Sequence, residues 1–157
     1  MLAIVREVAH EQRSAWPHRD ISLTLPRRAV VPIYADADRV SQVVTNLLTN
    51  ALKYSPDEAP VAITIRIQGD AARVEVRDQG PGLSTKQQAH LFERFYRAPG
   101  IEQQSGSGVG LGLGLNICKN IVERHGGSVG VTSAPGKGSV FWFTLPLQRE
   151  TARRVEP

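Results

Sequence analysis

The chain has a single cysteine, Cys118, and lacks any apolar run approaching the ~20 residues that a membrane-spanning helix needs. One cysteine cannot form an internal disulfide, so we expect a reducing, cytoplasmic setting for this chain. Anchoring of a longer parent protein through other segments is compatible with that expectation. Because Cys118 falls on the apolar side of a predicted helix, we expect it to be a small buried hydrophobic residue.

The net charge of +4 is not concentrated in a way that favours nucleic acid. Basic residues are scattered among acidic ones in most predicted elements, and aromatic residues do not interleave with them as in a single-strand binding groove. The one basic cluster, Arg149 to Arg154, lies in a polar tail. We therefore expect no nucleic-acid partner.

Two familiar phosphate-binding loops are also missing: no Gly-x-x-x-x-Gly-Lys-Ser/Thr and no Gly-x-Gly-x-x-Gly occurs. Instead, glycine stands at every second position from Gly106 to Gly114, directly before a helical run that reaches His125. Such a backbone can fold around an anion and point its N–H groups inward, and the following helix adds its N-terminal partial charge. A flexible linker is the alternative, but the intervening Val and Leu residues count against it.

Hydrophobic periodicity predicts an α+β fold: a two-layer sandwich in which a mixed, mostly antiparallel sheet of about five strands is covered by about three helices. The apolar stripe from Val40 to Ala51 is the strongest helical signal, with Asp36 or Asp38 as its cap. Ser84 and Gln87 form a capping-box pattern. The other predicted segments are a helix at Leu2–Arg13 and extended runs at Ile21–Leu25, Val30–Ala35, Val61–Ile67, Arg73–Arg77, Val129–Thr132 and Val140–Leu145.

We divide the chain into three parts. Residues 1–20 are interpreted as the end of a preceding helix and a linker, residues 21–147 as the folded domain, and residues 148–157 as a polar tail expected to be disordered. The irregular stretch from Arg97 to Gly108 is long for a loop in a compact domain, which is typical of a lid.

Asn46, Asn50 and Lys53 are spaced i, i+4, i+7 and therefore share one face of the predicted helix. Asparagine has a low helix propensity, so two asparagines on one helix face indicate either a solvated surface or a ligand-binding function. An amide oxygen can ligate Mg²⁺ while the lysine meets phosphate oxygens. Asp78, followed by Gly80 and Gly82, is either a turn former or an acceptor for an exocyclic amine such as that of adenine.

Five motifs occur in a fixed order: Asn46 to Ser55, Asp78 to Gly82, Phe92 to Arg97, the glycine-rich loop, and Gly136 to Ser139. Together they resemble the N, G1, F, G2 and G3 boxes of the catalytic ATP-binding domain of two-component sensor histidine kinases, over about Ile21 to Leu147. The resemblance implies a Bergerat-type fold that binds ATP and Mg²⁺.

The resemblance also implies residue roles. Asp78 would bind the adenine amine, with Gly80 and Gly82 allowing close approach, and Tyr54 would pack against the base. Asn50 and Asn46 would hold Mg²⁺, and Lys53 would approach the phosphates. Phe92 and Phe95 would anchor the lid. The loop residues that would wrap the triphosphate are Gly108, Val109, Gly110, Leu111, Gly112 and Leu113.

This sequence departs from the family in two ways. The glycine repeat runs on from Gly108 to Gly114 without the usual Ser or Thr, and no phospho-acceptor motif of the His-Glu-Leu-Arg-Thr-Pro type is present. The four histidines of the chain, His10, His18, His90 and His125, are expected at the surface or at helix caps.

The resemblance therefore implies a phosphotransferase domain that cannot phosphorylate itself as an isolated fragment. It would serve a histidine-bearing dimerisation domain and a response regulator; the isolated domain would be a monomer and the parent kinase a homodimer. Hydrolysing relatives carry Glu where Asn46 stands, and an amide cannot take a proton at neutral pH, so we expect slow hydrolysis. A nucleotide-binding interaction module and an anti-sigma-type serine kinase are the alternatives.

Overall fold

The computed structural model describes residues 1–27, 31–101 and 112–149. Four helices occur in these ranges, α1 Leu2–Ala15, α2 Ala37–Tyr54, α3 Thr85–His90 and α4 Gly114–Arg124. The five strands are β1 Ile21–Thr24, β2 Val61–Gln68, β3 Ala71–Asp78, β4 Ser128–Ser133 and β5 Ser139–Pro146. None of the described helices is long and apolar enough to cross a membrane.

The strands form one sheet in the order β1-β2-β3-β5-β4. β1 runs parallel to β2, and the other neighbours are antiparallel. α1 packs on α2 and β1, α2 on β2 and β3, and α4 on α2, β4 and β5. The predicted mixed, mostly antiparallel α+β sandwich is therefore confirmed.

The helix-facing side of the sheet follows from the alternation of buried residues along β2, β3 and β5. Ala72, Val74 and Val76 of β3 are fully buried, as is Phe143 at the centre of β5. The β3 residues pack against α2, and Phe143 belongs to the same buried core. The members of the apolar stripe of α2 are all at most 2% exposed: Val40, Val43, Val44, Leu47, Leu48 and Ala51. Burying one such aliphatic side chain contributes roughly 1.5–3 kcal/mol, so this layer of side chains contributes substantially to the stability of the domain.

α1 contributes Leu2, Val5, Val8 and Ala9 to the same buried core. The helix predicted at Leu2–Arg13 is thus present and packed, whereas the domain division at residue 20 stays a prediction. Cys118 is fully buried, as predicted. Residues 150–157 of the expected tail lie outside the described residues.

The predicted caps are present. Asp36 Oδ1 accepts hydrogen bonds from the backbone N–H groups of Asp38 and Arg39, and Ser84 and Gln87 form both bonds of the capping box. His125 also acts at helix ends: its Nδ1–H donates to the carbonyl of Ile121, and its Nε2 accepts from Asp36 N–H.

One predicted strand is wrong. The described part of the Val30–Ala35 run forms no strand, and it pairs with the sheet only through an isolated bridge between Ile33 and Leu147. Pro32 has no N–H to donate, so a continuous ladder cannot run through this segment.

Candidate functional site

A cleft of about 360 Å³ opens between the helical layer and one end of the sheet. Its walls come from α2, the end of β3 and the turn after it, the segment that follows α3, the start of α4, and β5. The cleft is lined by Asn46, Thr49, Asn50, Lys53, Tyr54, Asp78, Pro81, Gly82, Leu83, Leu91, Tyr96, Arg97, Ala98, Ile101, Gly112, Leu113, Gly114, Leu115, Ser139 and Phe141.

The α2 wall brings together the polar residues that the sequence placed on one helix face. Asn46, Asn50, Lys53 and Tyr54 all line the cleft. Asn46 Nδ2 donates to the carbonyl of Gly114 at 3.5 Å, which links α2 to the start of α4. Because this bond uses the amide nitrogen, the Oδ1 atom stays available as an acceptor or metal ligand.

Asp78 continues the inward alternation of β3, so its carboxylate occupies the position where an apolar side chain would otherwise stand. It is only 6% exposed. Burial is the largest influence and raises the pKa of Asp78, while hydrogen bonds from the backbones of Gly80 and Ser139 act in the opposite direction. The Gly80 N–H lies 2.8 Å from Asp78 Oδ1. The result is a buried acceptor at the inner end of the cleft.

Gly80 and Gly82 shape the turn behind this carboxylate. A Cβ on Gly80 would lie 2.7 Å from the carbonyl oxygen of Tyr54, so only glycine lets the turn approach the end of α2 this closely. Gly82 has φ of +73° and lines the cleft itself. Gly80 is absent from the lining residues and contributes through its hydrogen bond to Asp78.

The wall opposite α2 is the segment from Leu91 to Ile101, to which Tyr96, Arg97, Ala98 and Ile101 belong. Hydrogen bonds from the neighbouring elements hold it: Asn116 Nδ2 donates to Phe92 O, and Phe95 N–H donates to Gly112 O, both at 2.9 Å. Gln87 Nε2 donates to Pro99 O at 3.0 Å. The wall is therefore tied to both α3 and the start of α4.

The anchoring role predicted for the two F-box phenylalanines agrees with the structure for only one of them. Phe92 is half-buried against the core. Phe95 is 67% exposed and has φ of +61°, so it is held by its backbone rather than by its ring. The anchoring role came from the family resemblance, which does not specify the left-handed backbone at Phe95.

The glycine-rich loop is described only at its end. Gly112, Leu113 and Gly114 line the cleft beside Asn46. Gly108, Val109, Gly110 and Leu111 lie outside the described residues, as does most of the predicted lid, so their predicted roles stay predictions.

Several lining residues were not predicted from the sequence. Ser139 and Phe141 project inward because β5 alternates, and Ser139 pairs with Asp78 in register. The alternation was visible in the sequence, but the register that sets Ser139 beside Asp78 was not. Leu83, Leu91, Ile101, Leu115 and Phe141 supply an apolar lining of the kind that ligand pockets use.

The charges of the cleft suit an anionic ligand with a polar, aromatic end. Lys53 and Arg97 are the cationic lining residues in the part of the chain that the structure describes, and Asp78 is the only acidic one there. The carboxylate is buried at the inner end, whereas the neutral amides of α2 lie near the start of α4. An α+β domain with such a cleft belongs to the class of small-molecule-binding proteins.

Comparisons with known proteins narrow this class. Residues 35–149 match the family model described as histidine kinase-, DNA gyrase B- and HSP90-like ATPase. The chain belongs to this family and is an ATP-binding domain of the sensor histidine kinase type.

Curated relatives agree with this assignment. The chain is 38% identical to the adaptive-response sensory kinase SasA of Prochlorococcus marinus over 156 residues, which is 98% of this chain and 40% of that protein. It is 35% identical to the SasA of a Synechococcus species, over 99% of this chain and 40% of that protein. The chain thus spans about two fifths of the length of these relatives.

Solved structures show the same fold. The mycobacterial sensor histidine kinase MprB superposes with a TM-score of 0.76 at 28% identity, covering 94% of this chain and 95% of that chain. Full-length ShkA in complex with AMPPNP superposes with a TM-score of 0.75 at 32% identity, covering 92% of this chain and 29% of that chain.

Proposed function

We propose that this domain binds Mg-ATP in the cleft and supplies the γ-phosphoryl group to a histidine on a separate dimerisation domain. One observation carries the proposal: a single cleft joins a buried carboxylate to two amides and a lysine on one helix face and to the start of a second helix. Adenine, magnesium and triphosphate need these three kinds of group. The AMPPNP complex of ShkA, a protein of the same fold, supports the choice of nucleotide.

The adenine ring would occupy the inner end of the cleft. Asp78 would accept a hydrogen bond from the exocyclic amine, and Tyr54 would pack against the base. Gly80 and Gly82 would allow the ring to approach the backbone. Leu83 and Phe141 line the cleft. Around a bound base they would exclude water and so strengthen its hydrogen bond to the carboxylate.

The residues on α2 fit a magnesium ion. Asn46 and Asn50 offer neutral amide oxygens one helical turn apart, and Mg²⁺ usually takes few protein ligands besides phosphate oxygens and water. The described residues include no group of three or more His, Cys, Asp or Glu side chains that could form a protein-only metal site. When bound, the ion would neutralise charge on the β- and γ-phosphates.

The phosphates would extend from α2 towards α4. Lys53 would meet phosphate oxygens, and the backbone N–H groups of the loop from Gly108 to Leu113 would wrap the chain of phosphates. The N-terminus of α4 begins at Gly114 in the same cleft, where its partial positive charge favours an anion.

Transfer is favoured over hydrolysis. No carboxylate lines the described cleft besides Asp78, which lies at its inner end, and the amide of Asn46 cannot accept a proton from water. An incoming histidine nitrogen is itself the nucleophile: it forms the new bond to the γ-phosphorus while the bond to the bridging oxygen breaks and ADP leaves. A response regulator would receive the phosphoryl group afterwards. We expect the isolated domain to be a monomer, the parent kinase to be a homodimer, and this domain to act in the cytoplasm.

The test is a mixture of this chain, radiolabelled ATP with Mg²⁺, and a separately purified dimerisation domain that carries the acceptor histidine. Label on that histidine supports the proposal, and Asn50→Ala should abolish it while Asn120→Ala, an exposed change on α4 outside the cleft, should not. Binding without transfer would instead support an interaction module. In a parallel mixture that contains a small protein substrate in place of the dimerisation domain, label on a serine would support a serine kinase.

A further inference from the structure

Two serines at the inner end of the cleft form a direct pair. Ser139 is 6% exposed, lines the cleft and lies opposite Asp78 in register. Ser133, at the end of β4, lies opposite Ser139 on the other side. Their hydroxyl oxygens are 2.8 Å apart. Ser133 is not among the lining residues, so it acts on a ligand through two neighbours that are: Ser139, and Leu83, whose backbone N–H donates to Ser133 Oγ.

Counting protons fixes the direction of this hydrogen bond. Ser133 Oγ accepts from Leu83 N–H at 2.9 Å and lies 2.8 Å from the carbonyl oxygen of Gly138, which can only accept. If the single Ser133 proton pointed to Ser139, the Ser133 and Gly138 oxygens would face each other at 2.8 Å without a hydrogen between them. Both contacts are satisfied only when Ser133 donates to Gly138 and Ser139 donates to Ser133.

The direction of this hydrogen bond determines what Ser139 offers to a ligand in the cleft. With its proton committed to Ser133, the Ser139 hydroxyl can present only lone pairs to a ligand. Ser139 lies opposite Asp78 in register, and its backbone N–H donates to the Asp78 carboxylate, so its hydroxyl is a second acceptor next to that group. An amine or a water O–H can donate to these two acceptors. A carbonyl oxygen of a ligand would instead face two acceptors, the Asp78 carboxylate and the Ser139 hydroxyl oxygen.

We propose that Ser133 is a positioning residue for base selection: it holds the Ser139 hydroxyl as an acceptor, so that the cleft prefers a 6-amino purine over a 6-oxo purine. The inference rests on the proposed binding of ATP in this cleft and adds a residue outside the cleft wall to its specificity. A neutral serine pair thereby sharpens the selection made by one buried carboxylate.

The test compares the affinities of the 157-residue chain for Mg-ATP and Mg-ITP, which differ in the amine and the oxo group, by calorimetry. The wild type should prefer ATP. In Ser133→Ala the Ser139 proton is released and can turn towards the oxo group, so the preference should fall by about three- to tenfold, the equivalent of one neutral hydrogen bond. Ser133→Thr keeps the hydroxyl and should restore the wild-type ratio. Thr132→Ala, an exposed change on the same strand, should leave it unchanged.

A folded Ser133→Ala protein with the wild-type ATP-to-ITP ratio overturns the inference, and so does a wild type that binds both nucleotides equally. If Ser133→Ala does not fold, Ser139→Ala replaces it and must narrow the preference in the same direction; an unchanged ratio there also overturns the inference. A wild type that binds neither nucleotide contradicts the proposed function itself, which keeps the two failures distinct.

Discussion

Arg19 fixes the end of the helix that carries the candidate ligand-binding residues. Its side chain is only 2% exposed, and it follows α1 at the entrance to β1. The guanidinium donates to the carbonyl of Leu52 at 2.8 Å and to Ser55 Oγ at 2.6 Å. A positive charge at the C-terminus of α2 also complements the helix dipole. We predict that Arg19→Met strongly destabilises the domain.

The magnitude follows from the bonds lost. A hydrogen bond to a charged group contributes about 1.5–3 kcal/mol, and two short ones disappear together with a partner for the Leu52 carbonyl. Methionine keeps the apolar stem and removes the cost of burying a charge, which offsets part of the loss. We expect a net decrease of about 3 kcal/mol in the free energy of unfolding, against about 5–15 kcal/mol for a typical domain.

The assay is urea denaturation of the wild type, Arg19→Met and Asp57→Ala. Asp57 is the ionic partner of Arg19 at 3.4 Å, but its side chain is 68% exposed, so removing it should cost less than about 1 kcal/mol. The midpoint for Arg19→Met should fall by roughly 1–3 M, because the free energy of unfolding falls by about 1–3 kcal/mol per molar urea. A midpoint shift no larger than that of Asp57→Ala would mean that the buried guanidinium does not stabilise the end of α2.

Three further predictions concern single groups. Because burial raises the pKa of Asp78 above its ordinary value of 3.8, the stability that its protonated form contributes is lost as pH rises through the native pKa. Asp78→Asn should flatten this decline in pH-dependent urea melts and still weaken ATP binding; an unaltered pH dependence would contradict it. Burial raises the pKa of Cys118 to about 12, so iodoacetamide should label it only under denaturing conditions, and rapid native labelling would count against its burial. Gly82→Ala should lower the thermal midpoint sharply, because a Cβ at φ +73° would lie 1.9 Å from the Ala134 carbonyl oxygen; an unchanged midpoint would mean that the turn relaxes.

Local periodicity was sufficient to predict most elements of this fold. The apolar stripe of α2 and the alternation of β2, β3 and β5 each reflect burial of one face, and burial of one face is what a repeating pattern encodes. The same spacing placed Asn46, Asn50 and Lys53 together, and the structure has all three in one cleft. The strand predicted over Val30–Ala35 was wrong, because the prediction relied on apolar composition and neglected that Pro32 has no N–H for a strand ladder.

Features that depend on contacts between distant segments could not be predicted from local sequence patterns. Arg19 caps a helix that ends more than 30 residues later in the chain, and no local pattern links the two. The Ser133–Ser139 pair needs the register between β4 and β5, and the contact with Asp78 needs the register between β3 and β5. Each register is set by the whole sheet rather than by either strand.

Calorimetric titration of this chain with a non-hydrolysable ATP analogue, with and without Mg²⁺, tests the proposed nucleotide site directly. We expect saturable binding that magnesium tightens, a loss of the magnesium effect in Asn50→Ala, and weakened binding in Asp78→Ala at any magnesium concentration. A folded wild-type sample that shows no adenine-nucleotide binding at millimolar concentrations, with or without magnesium, would rule out an ATP site in this cleft.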